Sequence, residues 1–280
     1  MNILLLGKRR KIIRNKSAVS GHFGEFIQGR FDPNGPLVLI TVPNANRKVR
    51  VEYAPGPFKV EQNGTRSYPK EVVSKIFSVL NHAPEGQFIV NIDMPEGCGL
   101  GSSTAARIAF LLSINPDLSP EFLAQSCIAD EGASDPIMFS KPEKLLWAPR
   151  QGKIIRTLPK LPKITCIGGL YGVPQRTDPN DLNFPIITDL IREWEFPNKT
   201  PTDLGEICSE SSKRTLKLKG HTNDPTRALS KDLGALGYSI AHTGSVRNFI
   251  FPYNAVPNKA KKHLQQAGFT QVQEFSLGLS

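Results

Sequence analysis

Apolar and polar positions alternate along this chain in blocks short enough to read as separate elements. Leu37-Val38-Leu39-Ile40-Thr41-Val42 and Lys48-Val49-Arg50-Val51-Glu52-Tyr53 read as strands on either side of a turn at Pro43-Asn44-Ala45-Asn46. Val72, Val73, Ile76, Phe77, Val79 and Leu80 recur at helical spacing between Pro69 and Asn81. Phe88-Ile89-Val90-Asn91-Ile92 is a further strand, and Ala105 to Ile114 a helix. Ser119-Pro120-Glu121, an N-cap with proline at the first helical position, opens a helix to about Ala129. Trp147 to Lys163 is rich in proline and basic residues, holds the turn Arg150-Gln151-Gly152, and is the best candidate for a domain junction. Beyond it, Ile164 to Tyr171 reads as a strand. Helices near 184–194, 202–217 and 225–235, strands at 237–242 and 247–251, a helix at 257–267 and a strand at 270–276 follow. Strand, helices, two strands, helix, strand is a split β-α-β plan of the ferredoxin-like kind.

One segment adds chemistry to this pattern. Pro95 to Ala106 reads P-E-G-C-G-L-G-S-S-T-A-A, with Gly97, Gly99 and Gly101 directly after an apolar strand and Ser102-Ser103-Thr104 leading into a helix. Glycines let the backbone adopt positive φ and approach a ligand. The unpaired N–H groups of a first helical turn, reinforced by the helix dipole, then favour an anion. A phosphate is the usual occupant; the alternative is a plain loop whose serines cap the helix. The dinucleotide fingerprint G-x-G-x-x-G fails at Ser102, and the Walker pattern fails because no lysine follows Gly101.

Two more segments are chemically dense: Ser20-Gly21-His22-Phe23-Gly24-Glu25-Phe26-Ile27-Gln28-Gly29, and Gly234-Ala235-Leu236-Gly237-Tyr238-Ser239-Ile240-Ala241-His242-Thr243-Gly244-Ser245-Val246. With the glycine loop between them, they resemble the three ordered motifs of the GHMP kinases (galactokinase, homoserine, mevalonate and phosphomevalonate kinases). The G-x-x-G-E-x-x-Q-G form of the first motif and the A-H-[ST]-G-[ST]-V core of the third are most similar to the branch containing the L-threonine kinase of cobalamin biosynthesis. The motifs bracket residues 20 to 250, most of the chain.

The resemblance implies an α+β, two-domain GHMP kinase fold. Residues 1–160 would form an N-terminal domain like domain 2 of ribosomal protein S5, and 161–280 a C-terminal ferredoxin-like domain, with ATP in the cleft between them. It implies a transferase moving the γ-phosphate of ATP, with Mg²⁺, to a small-molecule hydroxyl, L-threonine first and homoserine or another small alcohol next. Pro95, Gly97, Cys98, Gly99, Leu100, Gly101, Ser102, Ser103 and Thr104 would form the nucleotide loop. Glu131-Gly132-Ala133-Ser134-Asp135 resembles that branch's E-P-[ST]-D segment. It makes Asp135 the candidate catalytic base and Ser103 and Glu131 candidate Mg²⁺ ligands; the alternative for Asp135-Pro136 is a simple turn. His22, Glu25 and Gln28, with His242, Thr243, Gly244 and Ser245, are candidate substrate-binding residues, and Gln175-Arg176-Thr177-Asp178 can line the acceptor pocket, Arg176 clamping a carboxylate. Two departures from the family's pattern stand out. Gln125 lies where many relatives carry a metal-binding glutamate, and Arg247-Asn248 replace small or apolar residues.

Composition bounds the rest. The 280 residues, 39% of them apolar, suit one large or two modest domains. The longest apolar runs fall far short of the roughly 20 residues that span a bilayer. Met1 to Gly7 is too short for a signal-peptide core, so a cytoplasmic protein with no membrane partner is expected. Cys98, Cys127, Cys166 and Cys208 show neither zinc spacing nor a disulfide framework. Cys98 reads as a small loop residue, since a reactive thiolate needs cationic neighbours. The net charge of +10 suits an anionic ligand. Its basic clusters, such as Lys8-Arg9-Arg10-Lys11, lack the interleaved aromatics of a strand-binding platform, so a small-molecule substrate is expected rather than nucleic acid. The reading from another class is a non-catalytic relative that binds a nucleotide or nucleic acid. A monomer and a homodimer both fit the sequence.

Overall fold

The computed structural model describes residues 15–279 apart from 64, 65, 82, 84, 176, 177, 179, 220–222, 242 and 243. Two sheets organise the chain. The first contains β1 (Asn15–Arg30), β2 (Leu37–Ala54), β3 (Lys59–Gln62), β4 (Gln87–Ile92), β5 (Leu145–Ala148) and β6 (Lys153–Thr157), in the order β3-β4-β2-β5-β6 with β1 also paired to β2. Against it lie α1 (Lys70–Phe77), α2 (Ser102–Ile114) and α3 (Pro120–Glu131). The second sheet contains β7 (Ile164–Leu170), β8 (Gly237–Ile240), β9 (Val246–Pro252) and β10 (Thr270–Leu277), in the order β10-β7-β9-β8, every neighbour antiparallel. Its helices are α4 (Thr188–Glu195), α5 (Pro201–Lys219), α6 (Thr226–Leu233) and α7 (Ala260–Gln266). The expected order of strands and helices in this half is therefore observed, and the fold is α+β with two sheets.

The first motif, to which periodicity assigned no element, lies inside β1. That strand runs antiparallel to β2 from Asn15 opposite Tyr53 to Arg30 opposite Leu37, with irregularities between Ser20 and Gly21, His22 and Glu25, and Glu25 and Ile27. The expected turn at 43–46 is not a reversal of the chain. Pro43 and Asn44 pair with His22 and Gly21, the register then jumps to Lys48 opposite Ser20, and the Asn44 side chain accepts from the Asn46 amide at 3.0 Å. The reversal comes at 31–36, where Asp32 accepts from the amides of Asn34 and Gly35. Bulges re-aim side chains locally, and these interrupt the hairpin at His22 and Glu25.

β1 also joins the two halves. Phe26 packs on Trp194 of α4 (ring centroids 5.5 Å apart) and Phe23 edge-on to Phe275 of β10 (5.6 Å). The largest apolar cluster runs without a break from Val42, Phe88 and Phe110 to Cys166, Leu204 and Ile250. Asn248 of β9, wholly buried, donates to the Phe23 carbonyl at 2.6 Å. A side chain at Gly168 would strike Asn248 Oδ1 and the ring of Phe23, so glycine is what lets the strands close here. The segment expected to be a junction begins with the end of β5 and all of β6. Trp147 is fully buried opposite Leu39, and Arg150-Gln151-Gly152 turns between β5 and β6, so residues 158–163 make the connection between the sheets.

Arg107 of α2 is 3% exposed and ion-paired with Asp130 of α3, which also meets Lys75 of α1 at 2.5 Å. This pair fixes the end of α3, and so Glu131, beside the first turn of α2. Arg107→Met strands most of a buried charge, so urea unfolding is expected to show a loss of about 3 kcal/mol, the lower end for a broken buried pair because Lys75 remains. A midpoint shift worth less than about 1 kcal/mol would show that α2 and α3 are held by packing alone.

Candidate active site

The glycine loop sits between β4 and α2. Gly97, Gly99 and Gly101 have φ of 66°, 78° and 70°, left-handed values that a side chain resists. Its carbonyls face the protein. Leu100 accepts from the His22 amide (3.1 Å), Gly99 from Gly24 (3.1 Å), Gly97 from Gln175 (2.7 Å), and Cys98 from both Ser245 (3.1 Å) and Val246 (3.2 Å). With the carbonyls taken, the loop amides and the first-turn amides of α2 are left for a ligand. Gly101 caps α2 with no side-chain hydrogen bond, so the serines have another use than capping.

That use is a polar network along one side of a cavity of about 370 Å³. The Ser103 hydroxyl donates to Glu131 Oε1 in a short bond and accepts from Arg66 Nη1 at 2.5 Å. Arg66 also lies 3.7 Å from Glu131 and 4.0 Å from Glu96, with its guanidinium over the Tyr68 ring. Deeper in, Thr104 donates to Asp135 Oδ2 at 3.2 Å, and His22 Nε2 is 3.3 Å from the same oxygen. The other ring nitrogen of His22 faces the Gly24 carbonyl at 3.2 Å and Glu25 at 3.8 Å. Gly101 is glycine for space as well as for φ, since a Cβ there would press on His22 and approach Asp135 at 3.3 Å.

The electrostatics follow. Burial works against a charged His22, but Asp135 and Glu25 outweigh it and raise its pKa from 6.5 to about 9. Burial likewise works against ionised Asp135, but His22 and the Thr104 hydroxyl hold it below its ordinary value. Glu25 is raised from 4.5 to about 7, by burial first and by repulsion from Asp135, with His22 opposing. At neutral pH the base candidate is thus a carboxylate fixed by an imidazolium. His22, Glu25 and Asp135 lie close enough together to suggest a metal cluster, but a protonated imidazole is no ligand. Ser103 and Glu131 fit Mg²⁺ better, being oxygen donors beside the glycine loop.

The cavity wall includes His22, Glu25, Gln28, the loop residues Gly97, Gly99, Leu100 and Gly101 to Thr104, Glu131 and Asp135. Pro95 and Cys98 are not in it; Cys98 packs into the core and its thiol donates to the Glu96 carbonyl. Gly244 and Ser245 stand behind the loop, where a side chain at Gly244 would collide with the Cys98–Gly99 backbone. His242, Thr243, Arg176 and Thr177 lie outside the described residues; their neighbour Gln175 reaches the wall. Gln125 does not line the cavity; it donates to the Gln151 carbonyl at 3.0 Å. Arg247 is buried against Asp224 at 2.9 Å and bonds the Val246 and Gly244 carbonyls, so its charge is absorbed within the second half. Arg66, Glu96 and Arg150 also line the cavity. Sequence reasoning missed all three, because Arg66 lies in an unpatterned loop and Arg150 in a turn that reads as linker; Glu96 alone stood inside a motif.

No family model matches the chain, and no curated protein matches it. Solved structures do. The Streptococcus pneumoniae phosphomevalonate kinase aligns at TM-score 0.67 and 12% identity over 96% of this chain and 100% of its own. The L. major mevalonate kinase, in complex with R-mevalonate, aligns at 0.66 and 13% over 95% and 98%. A Listeria monocytogenes protein described as a homoserine kinase aligns at 0.61 and 15% over 94% and 95%.

Because His22 is raised, the stability its charge contributes is fully present below pH 6.5 and is lost as pH climbs through about 9. Glu25, also raised, loses its smaller contribution between 4.5 and about 7, whereas that of lowered Asp135 is lost only in acid. The Tm gap between the native chain and His22→Gln is therefore expected to narrow as pH rises from 6.5 past 9. Parallel Tm curves across that window would mean that His22 is neutral in the folded state. At this identity the shared feature is the fold, the one built by these GHMP-type kinases.

Proposed function

We propose that this chain is an ATP-dependent kinase that transfers the γ-phosphoryl group to a hydroxyl of a small molecule, with L-threonine as the leading acceptor. The observation that carries the reading is the placement of Asp135. An ionised carboxylate, held by His22 and Thr104, stands at the first turn of the helix whose glycine loop is built for phosphate. Phosphoryl transfer asks a protein mainly to position groups and balance charge, and this cavity offers both. Amides of 97–104 hold phosphate oxygens, and Arg66 can leave Ser103 and Glu131 to meet the transferred group's charge. Ser103 and Glu131 would hold Mg²⁺, which when bound neutralises phosphate charge.

The acceptor hydroxyl attacks the γ-phosphorus, an O–P bond forms, the bond from that phosphorus to the β–γ bridging oxygen breaks, and ADP leaves. The hydroxyl proton passes toward Asp135. Since His22 lowers that carboxylate's basicity, Asp135 acts first by orienting the hydroxyl and accepts the proton late, as suits a loose transition state. Threonine as acceptor rests on the likeness of Gly21 to Gly29 and Ala241 to Val246 to the threonine-kinase branch, and the kinases that share the fold support the reaction class. The two departures from the family's pattern lend a purely binding role no support at the cavity, because Gln125 does not line it and Arg247 is neutralised by Asp224.

The test is ADP release from ATP and Mg²⁺ with L-threonine, L-serine, L-homoserine and mevalonate. Asp135→Ala is expected to lower kcat by about 10²-fold or more with ATP affinity kept, and unchanged turnover would remove Asp135 from the mechanism. Glu131→Gln should raise the Mg²⁺ concentration for half-maximal rate severalfold. An unshifted Mg²⁺ curve would place the metal elsewhere.

A further inference from the structure

Ser103 and Glu131, the two oxygen donors placed for Mg²⁺, already hold a cation. Arg66 Nη1 donates to the Ser103 hydroxyl at 2.5 Å, Nη2 lies 3.7 Å from Glu131, and Nε lies 4.0 Å from Glu96. One lone pair of the Ser103 oxygen accepts from the guanidinium, and the Ser103 proton goes to Glu131. A divalent ion on these oxygens would stand against a permanent positive charge. We infer that Arg66 is a stand-in cation: it keeps Ser103 and Glu131 from a free divalent ion, and yields them only when a polyphosphate in the glycine loop takes its guanidinium instead. Metal and nucleotide binding are then coupled. The inference rests on the placing of Mg²⁺ at Ser103 and Glu131 in the proposed kinase, and adds the rule by which that site opens.

The backbone that carries Arg66 is fixed. Gln62, the last residue of β3, donates through Nε2 to the Arg66 carbonyl in a short bond and accepts from the Tyr68 amide at 3.2 Å. The Tyr68 ring is buried against Phe110 of α2, centroids 5.1 Å apart, and the guanidinium lies over it, 5.5 Å from the ring centroid. The rest of the side chain is less firmly held. It is 30% exposed, and both of its carboxylate contacts are long. Arg107 and Arg247 make the contrast, each buried and closed on one aspartate. A partly exposed ion pair contributes little, so a better partner can replace it. Arg66 is a long arm on a fixed base, placed to change partners rather than to lock α2 against α3.

The better partner is a phosphate. Arg66 lines the same cavity as Gly97 and residues 99–104. A phosphate held by the loop amides presents oxygens that a guanidinium fork grips in two places. A free ion offers Arg66 nothing in return for Ser103 and Glu131. An ion that arrives on a polyphosphate brings both halves of the exchange. Glu131 then trades one positive neighbour for another, and the guanidinium trades a carboxylate for a phosphate. Neither charge is left unmatched at any stage, which is what lets the arm move without a large cost.

The test is Mn²⁺ titration of the full chain, followed by loss of the electron paramagnetic resonance signal of hydrated Mn²⁺. Without nucleotide, Arg66→Met is expected to bind Mn²⁺ about tenfold more tightly than the native chain, a factor ordinary for coupled sites. Adding Glu131→Gln to Arg66→Met should remove the gain, and Arg66→Lys should show little of it because the charge stays. In the otherwise native chain, Glu131→Gln should leave binding of Mn²⁺ alone unchanged, since Arg66 already shields that carboxylate. It should weaken binding of the Mn²⁺–ATP complex severalfold. A gain below about twofold in Arg66→Met, or one that survives Glu131→Gln, overturns the stand-in. So does a native chain whose affinity for Mn²⁺ alone already depends on Glu131, and that comparison decides even if Arg66→Met fails to fold. The two readings part at the nucleotide complex. If Arg66→Met gains nothing but Glu131→Gln still weakens Mn²⁺–ATP binding, the stand-in falls and the metal site remains. If Glu131→Gln alters neither that binding nor the gain in Arg66→Met, the metal lies elsewhere and the stand-in falls with it.

Discussion

Everything in the site depends on how the glycine loop spends its backbone. A loop that binds phosphate through amides must place its carbonyls somewhere, because a buried unpaired carbonyl costs about as much as a lost hydrogen bond. Here two distant segments accept the obligation. β1 supplies the amides of His22 and Gly24, and the start of β9 with the turn before it supplies those of Val246 and Ser245. The loop is thus clamped from one side by the first motif and from the other by the third. The three motifs are one hydrogen-bonded object, which explains why segments more than 200 residues apart share a pattern of small residues. Gly21 is small because Met94 and the Leu100 carbonyl press on it, and Gly244 because the Cys98–Gly99 backbone does.

The same clamp brings charge together. Seating His22 under Gly101 puts an imidazole between Asp135 and Glu25 in a place that water scarcely reaches. Two carboxylates, buried Glu25 and partly exposed Asp135, with one cation leave the group short of positive charge. The system answers by pushing Glu25 toward its neutral form and keeping Asp135 ionised. The carboxylate that stays charged is the one that also accepts from Thr104, on the helix that follows the glycine loop. Selection between the carboxylates is therefore made by geometry, not by residue type.

Much of this was legible in the residues, and the reasons are physical. The strand–loop–helix unit could be read because glycines at alternate positions after an apolar run have few other uses. The order of elements from 164 to 277 could be read because each carries a clean period and is closed by a turn residue, Gly234 after α6 being one. The 43–46 turn misled because proline and asparagine are as useful at a bulge as at a reversal. Trp147 to Arg150 misled because proline and arginine dominate its composition, while the burial of Trp147 depends on a partner, Leu39, a hundred residues away. Arg66 and Arg150 carry no local pattern at all. A lone cation becomes informative only when the surrounding acids are known.

The two departures from the expected pattern show how spacing and space can diverge. Gln125 stands in the sequence where an acid was expected, but half of α3 separates it from the loop, and its amide serves the Gly152 turn. Glu131, at the end of that helix, reaches Ser103 because Arg107 and Asp130 draw α3 against α2 one residue earlier. An acid need not keep its place in the chain to reach the loop, provided that some helix end delivers a carboxylate to the first turn of α2. Arg247 follows the same logic in reverse. An arginine next to the turn that clamps the glycine loop invites a role at a ligand, but Asp224 and two carbonyls satisfy it within β9 and its flanking turns. The cations left to act on a ligand are those whose charge the protein has not already spent.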